Sequence, residues 1–286
     1  MINMNDVTLI IPSYNYGNYI EDAIDSVLEQ TEQPERIFVI DDCSTDSTRR
    51  VLQRYSNKIE LIYNDKNLGI VENFRKAVNI CRTEFIAFVG ADNIAKRNFV
   101  YELRRALARN QRAAVAYFDM EIFGPKAEQL AAKVGATYIS DSDPKRFYWS
   151  FPDPTPEALA RLETDNFMNG SSMFRRSAYE AVGGYRQTLG PEDADLFLRM
   201  VRHGYEVVRV PEALIMYRQH SLGQANTALL TQKIIEDQKQ ALEAAWAENE
   251  HLRKWAASLH EALVDANNWA RHLELQLQDS EKSGNN

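Results

Sequence analysis

Short apolar runs alternate with helical spacing along the first half of the chain. Five runs rich in β-branched and aromatic residues predict buried strands, at residues 7–11, 36–40, 59–63, 85–89 and 113–118. Between them, apolar residues recur every three or four positions, as in the stretch 19–28. Strands that alternate with helices favour parallel βαβ units. We therefore predict an α/β fold with a mostly parallel sheet flanked by helices.

Polar side chains follow three of these predicted strands, at the point where each run ends. They are, in chain order, Ser13-Tyr14-Asn15, Asp41-Asp42 and Asp92-Asn93. Parallel strands end at the same edge of a sheet, where open α/β folds bind their ligands. An aromatic ring with amides and acids suits a nucleobase and its ribose, and an acid that holds a divalent cation suits a diphosphate. The alternative for each cluster is ordinary turn chemistry.

Two common phosphate-binding sequences are missing from the first half. No Gly-x-Gly-x-x-Gly follows the first predicted strand, and the chain has no Gly-Lys-Ser/Thr of a P-loop. Residues 12–18 also contain no Lys or Arg, which argues against a nucleotidyltransferase with a basic phosphate loop. A nucleotide is therefore expected to be held by side chains and a metal ion.

The second half contains candidates for the chemistry. Residues 135–165 lack periodicity and contain several prolines, so we predict a long, partly mobile loop near the acceptor side. The acids Glu192, Asp193 and Asp195 come at the start of a predicted amphipathic helix. Carboxylates at a helix N-terminus can be simple caps, and one of them can also act as a general base.

Several blocks of the sequence resemble family 2 glycosyltransferases, which are inverting nucleotide-sugar transferases of the GT-A fold. In order, they are Ile10-Ile11-Pro12-Ser13-Tyr14-Asn15, Ser26-Val27-Leu28-Glu29-Gln30-Thr31, Ile40-Asp41-Asp42-Cys43-Ser44-Thr45-Asp46 and Asn67-Leu68-Gly69. The resemblance extends over about the first 220 residues. It implies that the nucleotide-binding residues are Pro12, Ser13, Tyr14, Asn15, Asp42 and Ala91.

The family's metal-binding block is altered in this chain. Family members usually have Asp-Ala-Asp-Asp, and this chain has Gly90-Ala91-Asp92-Asn93. By resemblance Asp92 is the metal-binding acid, for Mg²⁺ or Mn²⁺. One carboxylate, two diphosphate oxygens and water can complete the shell of either ion. The ribose contact that belongs to the first acid of the family has no counterpart at Gly90.

The resemblance continues in the second half. The Gly183-Gly184-Tyr185 block followed by Glu192-Asp193 implies that Asp193 is the catalytic base, with Glu192 beside it. The segment 217–220 resembles the family's Tyr-Arg-x-His block and implies that His220 is a metal ligand. A surface histidine that closes the domain is the alternative. Further candidates for diphosphate or acceptor contacts are Asn93, Ser171 and Arg218.

A different pattern begins near residue 227. With Ile235 at position a, apolar residues such as Leu242, Leu259 and Leu263 recur in one heptad phase, with Asn249 at an a position. This pattern predicts a long helix with a coiled-coil seam, which would mediate self-association or the docking of a partner subunit. A helix folded back on the first domain is the alternative.

The pattern change predicts the domain organisation. We expect a GT-A domain at 1–226, with a nucleotide-binding half at 1–115 and an acceptor and catalytic half at 116–226. The helical tail would occupy 227–286.

Composition limits the partners and the compartment. The net charge of −8 argues against nucleic acid as a partner. Cys43 and Cys81 have no metal-ligand spacing and fit a reducing compartment. No apolar run approaches the length of a membrane span. These features favour a cytoplasmic protein, with peripheral attachment at the inner membrane left open.

These observations predict a metal-dependent, inverting glycosyltransferase. It would move a sugar from a nucleoside diphosphate, with a UDP-sugar favoured, to a glycan or lipid-linked hydroxyl in bacterial surface polysaccharide synthesis. The altered 90–93 block and the helical tail also permit a catalytically inactive relative that binds nucleotide or glycan and serves in assembly.

Overall fold

The computed structural model describes residues 6–140, 144–188, 190–220, 239, 258–267 and 269–270. In these residues the strands are β1 (Val7–Ser13), β2 (Arg36–Asp41), β3 (Glu60–Tyr63), β4 (Phe85–Phe88), β5 (Ile94–Ala95), β6 (Ala113–Phe123), β7 (Thr137–Ser140), β8 (Arg146–Trp149), β9 (Met173–Arg175) and β10 (Glu206–Arg218). The helices are α1 (Ile20–Leu28), α2 (Thr48–Gln53), α3 (Ile70–Asn79), α4 (Phe99–Arg109), α5 (Ala127–Val134), α6 (Pro156–Ala160), α7 (Arg176–Ala181) and α8 (Glu192–Arg202).

The sheet is parallel on one side and mixed on the other. Its strand order is β3-β2-β1-β4-β9-β6-β10-β5, with the β7–β8 pair attached to β6. Strands β3, β2, β1 and β4 are parallel neighbours, as predicted. Strand β9 is antiparallel to both β4 and β6. Since β9 is antiparallel to both of its neighbours, β6 has the same direction as β4 and β1, and so does β10, the parallel partner of β6.

The central strands are buried on both faces. Leu9, Ile10 and Ile11 of β1 have no exposed surface, and β4 is buried along its whole length. Burial on both faces explains why these strands are continuous apolar runs, without polar alternation. The layers that cover them include the amphipathic helices α1 and α3, whose apolar faces belong to the same core. This packing fixes the sheet edge at which the candidate residues lie.

The prediction of a long loop without regular elements at 135–165 is wrong. Strands β7 and β8 form an antiparallel pair there, and β8 also pairs with the outer part of β6. Phe147 of β8 is buried against Ile122, Ala127 and Ala131 in a small separate core. Each strand has only four residues, too few to show a clear period in the sequence. Pro152 and Pro154 lie between β8 and α6, and Pro156 is the first residue of α6.

The last strand extends well beyond the short apolar run at 207–211. Strand β10 continues to Arg218 and pairs with β6 over nearly its whole length. A register shift between Val210 and Ala213 spans Pro211, which cannot donate a hydrogen bond to the ladder. The proline therefore interrupts the ladder locally without ending the strand. The extension carries Arg218 and His220 to the region of Asp92.

A buried ion pair joins β6, β8 and β10. Asp119 has no exposed surface and accepts hydrogen bonds from the Arg209 guanidinium (2.7 Å to Nη2), the Tyr148 hydroxyl (2.6 Å) and the Phe151 amide (2.9 Å). We expect Asp119→Ala to lower the free energy of unfolding by about 3–5 kcal/mol, because a buried cation loses its main partner. Urea denaturation measures this value.

Asp153 provides a matched control for that variant. Its carboxylate lies 2.8 Å from Nη1 of the same Arg209, but its side chain is 72% exposed. Asp153→Ala should therefore cost about 1 kcal/mol or less. Equal losses for the two variants would mean that burial does not determine the strength of this network.

The chain divides into two compact units, Met1–Gln224 and Ala225–Asn286. In the second unit, residues 258–267 and 269–270 are helical. Most of the predicted heptad positions, including Ile235, Leu242 and Asn249, lie outside the described residues, so the coiled coil remains a prediction. No helix in the described part of the chain is both long and apolar enough to cross a membrane.

Candidate active site

The first two predicted loops are tied to each other at the sheet edge. Asn15 has a left-handed backbone (φ 61°), its amide N–H donates to the Ser44 hydroxyl at 2.8 Å, and its side-chain oxygen accepts from the Thr45 amide at 2.8 Å. The structure therefore gives Asn15 a loop-joining role. Tyr14 and Pro12 beside it are half-buried.

Ser13 and Asp42 are both buried behind these loops. The Ser13 hydroxyl has no hydrogen-bond partner among the described residues. The Asp42 carboxylate accepts from Asn64 Nδ2 at 2.7 Å and from the Leu68 and Gly69 amides at 2.8 and 2.9 Å. Asp42 thus holds the loop before α3 against the end of β2. The resemblance to known transferases does not reveal this role.

The end of β10 meets the loop after β4. His220 Nε2 lies 3.0 Å from Asp92 Oδ2, and Arg218 Nε donates to the Asp92 carbonyl at 2.7 Å. The Arg218 amide donates to Asn93 Oδ1 at 3.1 Å. Four candidates from two segments more than a hundred residues apart are therefore neighbours in the structure. Ala91, the remaining candidate in this loop, is buried.

The Asp92–His220 pair fits part of a divalent cation site. Two ligand atoms about 2.1 Å from one ion and at a right angle are about 3 Å apart. The Asp92–His220 separation of 3.0 Å, at which the two side chains share a hydrogen bond, agrees with that value. Within the described part of the chain, however, no group of three or more His, Cys, Asp or Glu side chains could hold a metal ion. Substrate oxygens and water would have to supply the other ligands.

Arg218 has partners besides the 92–93 loop. Its Nη2 donates to Asp22 of α1 at 2.6 Å, and its guanidinium lies over the rings of Tyr19 and Phe123. Tyr19 also contacts His220, with ring centroids 4.4 Å apart. Sequence reasoning missed Tyr19 and Asp22, because both fit the ordinary pattern of an amphipathic helix with acids in its first turn.

The second group of candidates surrounds the start of α8. Asp193 Oδ1 accepts from the Ala194 amide at 2.7 Å, and Asn166 Nδ2 lies 3.5 Å from the same oxygen. A Cβ at Gly170 would be 3.1 Å from Oδ2, so glycine leaves that side of the carboxylate uncrowded. Ser171, which follows, is buried, and its backbone N–H donates to Asn169 Oδ1 at 3.0 Å. Asn166 and Gly170 had no distinguishing signal in the sequence.

Glu192 and Asp193 are acids of unusual basicity. Removal of water from around the side chain raises the pKa of Asp193 to about 6. The same effect, followed by the charge of Asp193, raises the pKa of Glu192 to about 7. The Tyr185 ring, buried beside them, contributes to the apolar surroundings. A carboxylate with a pKa near neutrality is a stronger proton acceptor than an ordinary aspartate.

Comparison with known proteins places the chain in a family. The model described as glycosyl transferase family 2 matches residues 8–183, and one described as the N-terminal domain of galactosyltransferase matches residues 156–221. The putative teichuronic acid biosynthesis glycosyltransferase TuaG of Bacillus subtilis is 37% identical over 95 residues. That match covers 32% of this chain and 38% of TuaG.

Solved structures share the fold. TarS 1–349 of S. aureus in complex with UDP-GlcNAc has a TM-score of 0.57 and 18% identity, covering 78% of this chain and 60% of TarS 1–349. The mannosyltransferase PcManGT of Pyrobaculum calidifontis, in complex with GDP-Man and Mn²⁺, has a TM-score of 0.59 and 16% identity. That match covers 94% of this chain and 76% of PcManGT.

These likenesses confirm the expected GT-A-type α/β fold, here with a mixed sheet. The family model covers more than half of the chain, including both polar loops, the 90–93 block and the Gly170 segment. Since sequence family and fold agree, the chain belongs to glycosyl transferase family 2.

Proposed function

We propose that the protein is an inverting glycosyltransferase that uses a nucleoside-diphosphate sugar. The observation that carries this proposal is the Asp193 carboxylate. One of its oxygens accepts from the Ala194 amide, the other lies beside Gly170, and its pKa is raised to about 6. These properties suit a general base better than a cap, because a cap has no need of a raised pKa or of an uncrowded oxygen.

In the proposed reaction Asp193 accepts the proton of the acceptor hydroxyl. The hydroxyl oxygen then forms its bond to the anomeric carbon of the donor sugar, on the face opposite the diphosphate. The bond between that carbon and the diphosphate oxygen breaks, and the nucleoside diphosphate leaves with the electron pair. One attack from the opposite face inverts the anomeric configuration. The charge of Asp193 contributes to the raised pKa of Glu192, the neighbouring acid.

Asp92 and His220 are the proposed ligands of Mg²⁺ or Mn²⁺. A bound ion would offset the charge of the leaving diphosphate. Arg218 holds the carbonyl of Asp92 and so keeps the loop against the end of β10. The nucleobase and ribose would lie against Pro12, Ser13, Tyr14 and the loops that Asn15 and Asp42 hold. Ser171 lies on the acceptor side, next to Gly170.

The biological setting follows from the relatives. The name of TuaG refers to teichuronic acid biosynthesis, and TarS was crystallised with UDP-GlcNAc. We extend this to a UDP-sugar as donor and to a glycan or lipid-linked hydroxyl in bacterial surface polysaccharide synthesis as acceptor. The cytoplasm, where nucleotide sugars are made, is the proposed compartment. Calorimetric titration with UDP-GlcNAc, UDP-glucose and GDP-mannose tests the donor, and no binding of any of them would contradict the proposal.

The pKa of Asp193 predicts the pH dependence of the reaction. The base must be deprotonated to act, so kcat/KM for the acceptor should rise about tenfold per pH unit below about pH 6 and level off above it. With an ordinary aspartate as the base, the pH-dependent rise in rate would end near pH 4. Initial rates at saturating donor between about pH 5 and pH 8 measure it. A rate that does not change across this interval would exclude Asp193 as the titrating base.

A second candidate function is supported by the 90–93 block. With one carboxylate in this block, the chain could bind a nucleotide sugar without turning it over and serve as an assembly subunit. Binding without product, in the presence of Mn²⁺ and mixed glycan acceptors, would favour this function.

A further inference from the structure

Arg199 of α8 ties its helix to the turn that follows α7. Its Nη2 donates to the Gly184 carbonyl at 2.6 Å, and its Nη1 donates to the Val182 carbonyl. Its Nε donates to Asp195 Oδ2 at 2.8 Å, four residues earlier in the same helix. The Arg199 side chain is only 14% exposed. A half-hidden guanidinium therefore joins the helix that carries the proposed base to the backbone of a neighbouring turn.

This turn leads directly into Tyr185. Gly184 has a left-handed backbone (φ 69°), and a Cβ there would lie 2.7 Å from the Tyr179 hydroxyl, so the turn packs closely. The Tyr185 ring is buried edge-on against Phe74 and Phe88, with centroids 5.5 and 6.2 Å apart. The position of this ring therefore depends on the turn that the guanidinium holds.

Tyr185 lies beside the two acids at the start of α8. Burial, and then the charges of Glu192 and Asp193, raise the pKa of its hydroxyl, so the ring is close to both carboxylates. It forms part of the surface that keeps water from them. Asn166 Nδ2 also faces Asp193, at 3.5 Å, but this contact favours the charged carboxylate and cannot cause the raised pKa of Asp193.

Further charged groups of the described residues act on the tyrosine rings from α3 and α8. Glu72 and Arg75 of α3 form an ion pair at 3.0 Å, and Asp195 is held by both Arg199 and Arg186. By charge alone, loss of the Arg199 cation would raise the pKa of a neighbouring carboxyl group. Displacement of the ring would lower it, because entering water stabilises the carboxylate. The direction of the change therefore distinguishes the two effects.

We propose that Arg199 is a positioning residue, which holds the Tyr185 ring against Glu192 and Asp193 and so keeps water from the proposed base. The inference rests on the proposed function for the catalytic role of Asp193, whereas the arrangement itself can be tested without substrate. The helix that presents the base then also fixes the ring that covers it.

The pKa of Asp193 in Arg199→Gln tests this role. Carboxyl ¹³C NMR titration of the full chain measures it, with Asp193 assigned by the signal that is lost in Asp193→Asn. The wild-type carboxyl should titrate near pH 6. In Arg199→Gln the pKa should fall by about one unit or more, toward the ordinary value of about 4. An unchanged pKa would overturn the proposal, and so would a higher one, because the charge of Arg199 would then be its main effect.

Arg202→Gln is the matched control, because it removes the same charge from the same helix. Arg202 pairs with Glu163, and both side chains are more than half exposed, so the pKa of Asp193 should not change. Tyr185→Leu should lower that pKa as Arg199→Gln does, and Tyr185→Phe, which keeps the ring, should retain the raised value.

Circular dichroism and thermal unfolding show whether each variant is folded. Arg199→Lys takes the place of Arg199→Gln if the latter does not fold. It keeps the charge but lacks the planar fork that reaches two carbonyls at once, so the pKa of Asp193 should again fall. A wild-type pKa in a folded Arg199→Lys would then contradict the proposal.

The outcomes separate this inference from the proposed function. If the pKa of Asp193 falls in Arg199→Gln but the wild type turns over none of UDP-GlcNAc, UDP-glucose and GDP-mannose, the proposed function fails and the positioning role stands. If the wild type turns over one of them, kcat/KM for the acceptor should stop rising at a lower pH in Arg199→Gln than in the wild type. The same pH profile in both proteins would overturn this inference alone.

Discussion

Asp193→Asn is expected to lower kcat by about 10²- to 10⁴-fold while leaving the dissociation constant of the donor unchanged. Asparagine has nearly the same shape and can still accept from the Ala194 amide, which lies 2.7 Å from Oδ1 in the wild type. It cannot accept the proton of the acceptor hydroxyl. The loss should therefore appear in the chemical step. Initial rates at saturating donor, with calorimetric titration of the donor, separate the two quantities.

Asp165→Asn provides the matched control for that substitution. Asp165 is an exposed acid in the segment that precedes Gly170. Its substitution by asparagine removes the same charge from the same region. Its kcat should remain within about twofold of the wild type, since exposed charges interact weakly through solvent. A similar fall in both variants would indicate a general effect of charge, and unchanged turnover in Asp193→Asn would exclude the base.

Asp92→Asn is expected to weaken the binding of the nucleoside diphosphate by about 100-fold in the presence of Mn²⁺. The proposed ion loses its carboxylate ligand, and the diphosphate then lacks a counter-charge. The loop itself should persist, because Arg218 holds the backbone carbonyl of residue 92 and not its side chain. Binding of the free nucleoside, which has no diphosphate, should change little.

Chelation separates a metal effect from a general effect in this variant. EDTA should weaken diphosphate binding to the wild type about as much as the substitution does, and it should have no further effect on Asp92→Asn. His220→Gln, which removes the imidazole 3.0 Å from Asp92, should show a smaller loss of the same kind. If EDTA does not change the binding of the nucleoside diphosphate to the wild type, and Asp92→Asn binds it as tightly as the wild type, the metal site is excluded.

The parallel half of the fold could be predicted from the sequence because its signals are local. Strands β1, β2 and β4 are buried on both faces, so each is a continuous apolar run that ends at its polar cluster. Once parallel strands are inferred, their polar ends must share one edge. Ser13, Asp42 and Asp92 follow or end the parallel neighbours β1, β2 and β4 and therefore share that edge.

The remaining features depend on contacts between distant parts of the chain. Strand β9 has three residues and exists because β4 and β6 lie on either side of it. The hydrogen bonds from Arg218 to the 92–93 loop join residues more than 120 positions apart. Asn93 illustrates the same limit, since the sequence shows a glycine at 90 but not that the Asn93 side-chain amide lies beside it.

Turnover of a nucleotide sugar by the wild type and by Asp193→Asn is the measurement to make first. UDP-GlcNAc, UDP-glucose and GDP-mannose would each be incubated with Mn²⁺ and a mixture of glycan acceptors, and release of the nucleoside diphosphate would be followed. We expect one donor to be consumed by the wild type, with an inverted anomeric linkage in the product, and almost none by Asp193→Asn. Donor binding without release by the wild type would contradict the transferase and favour the assembly subunit.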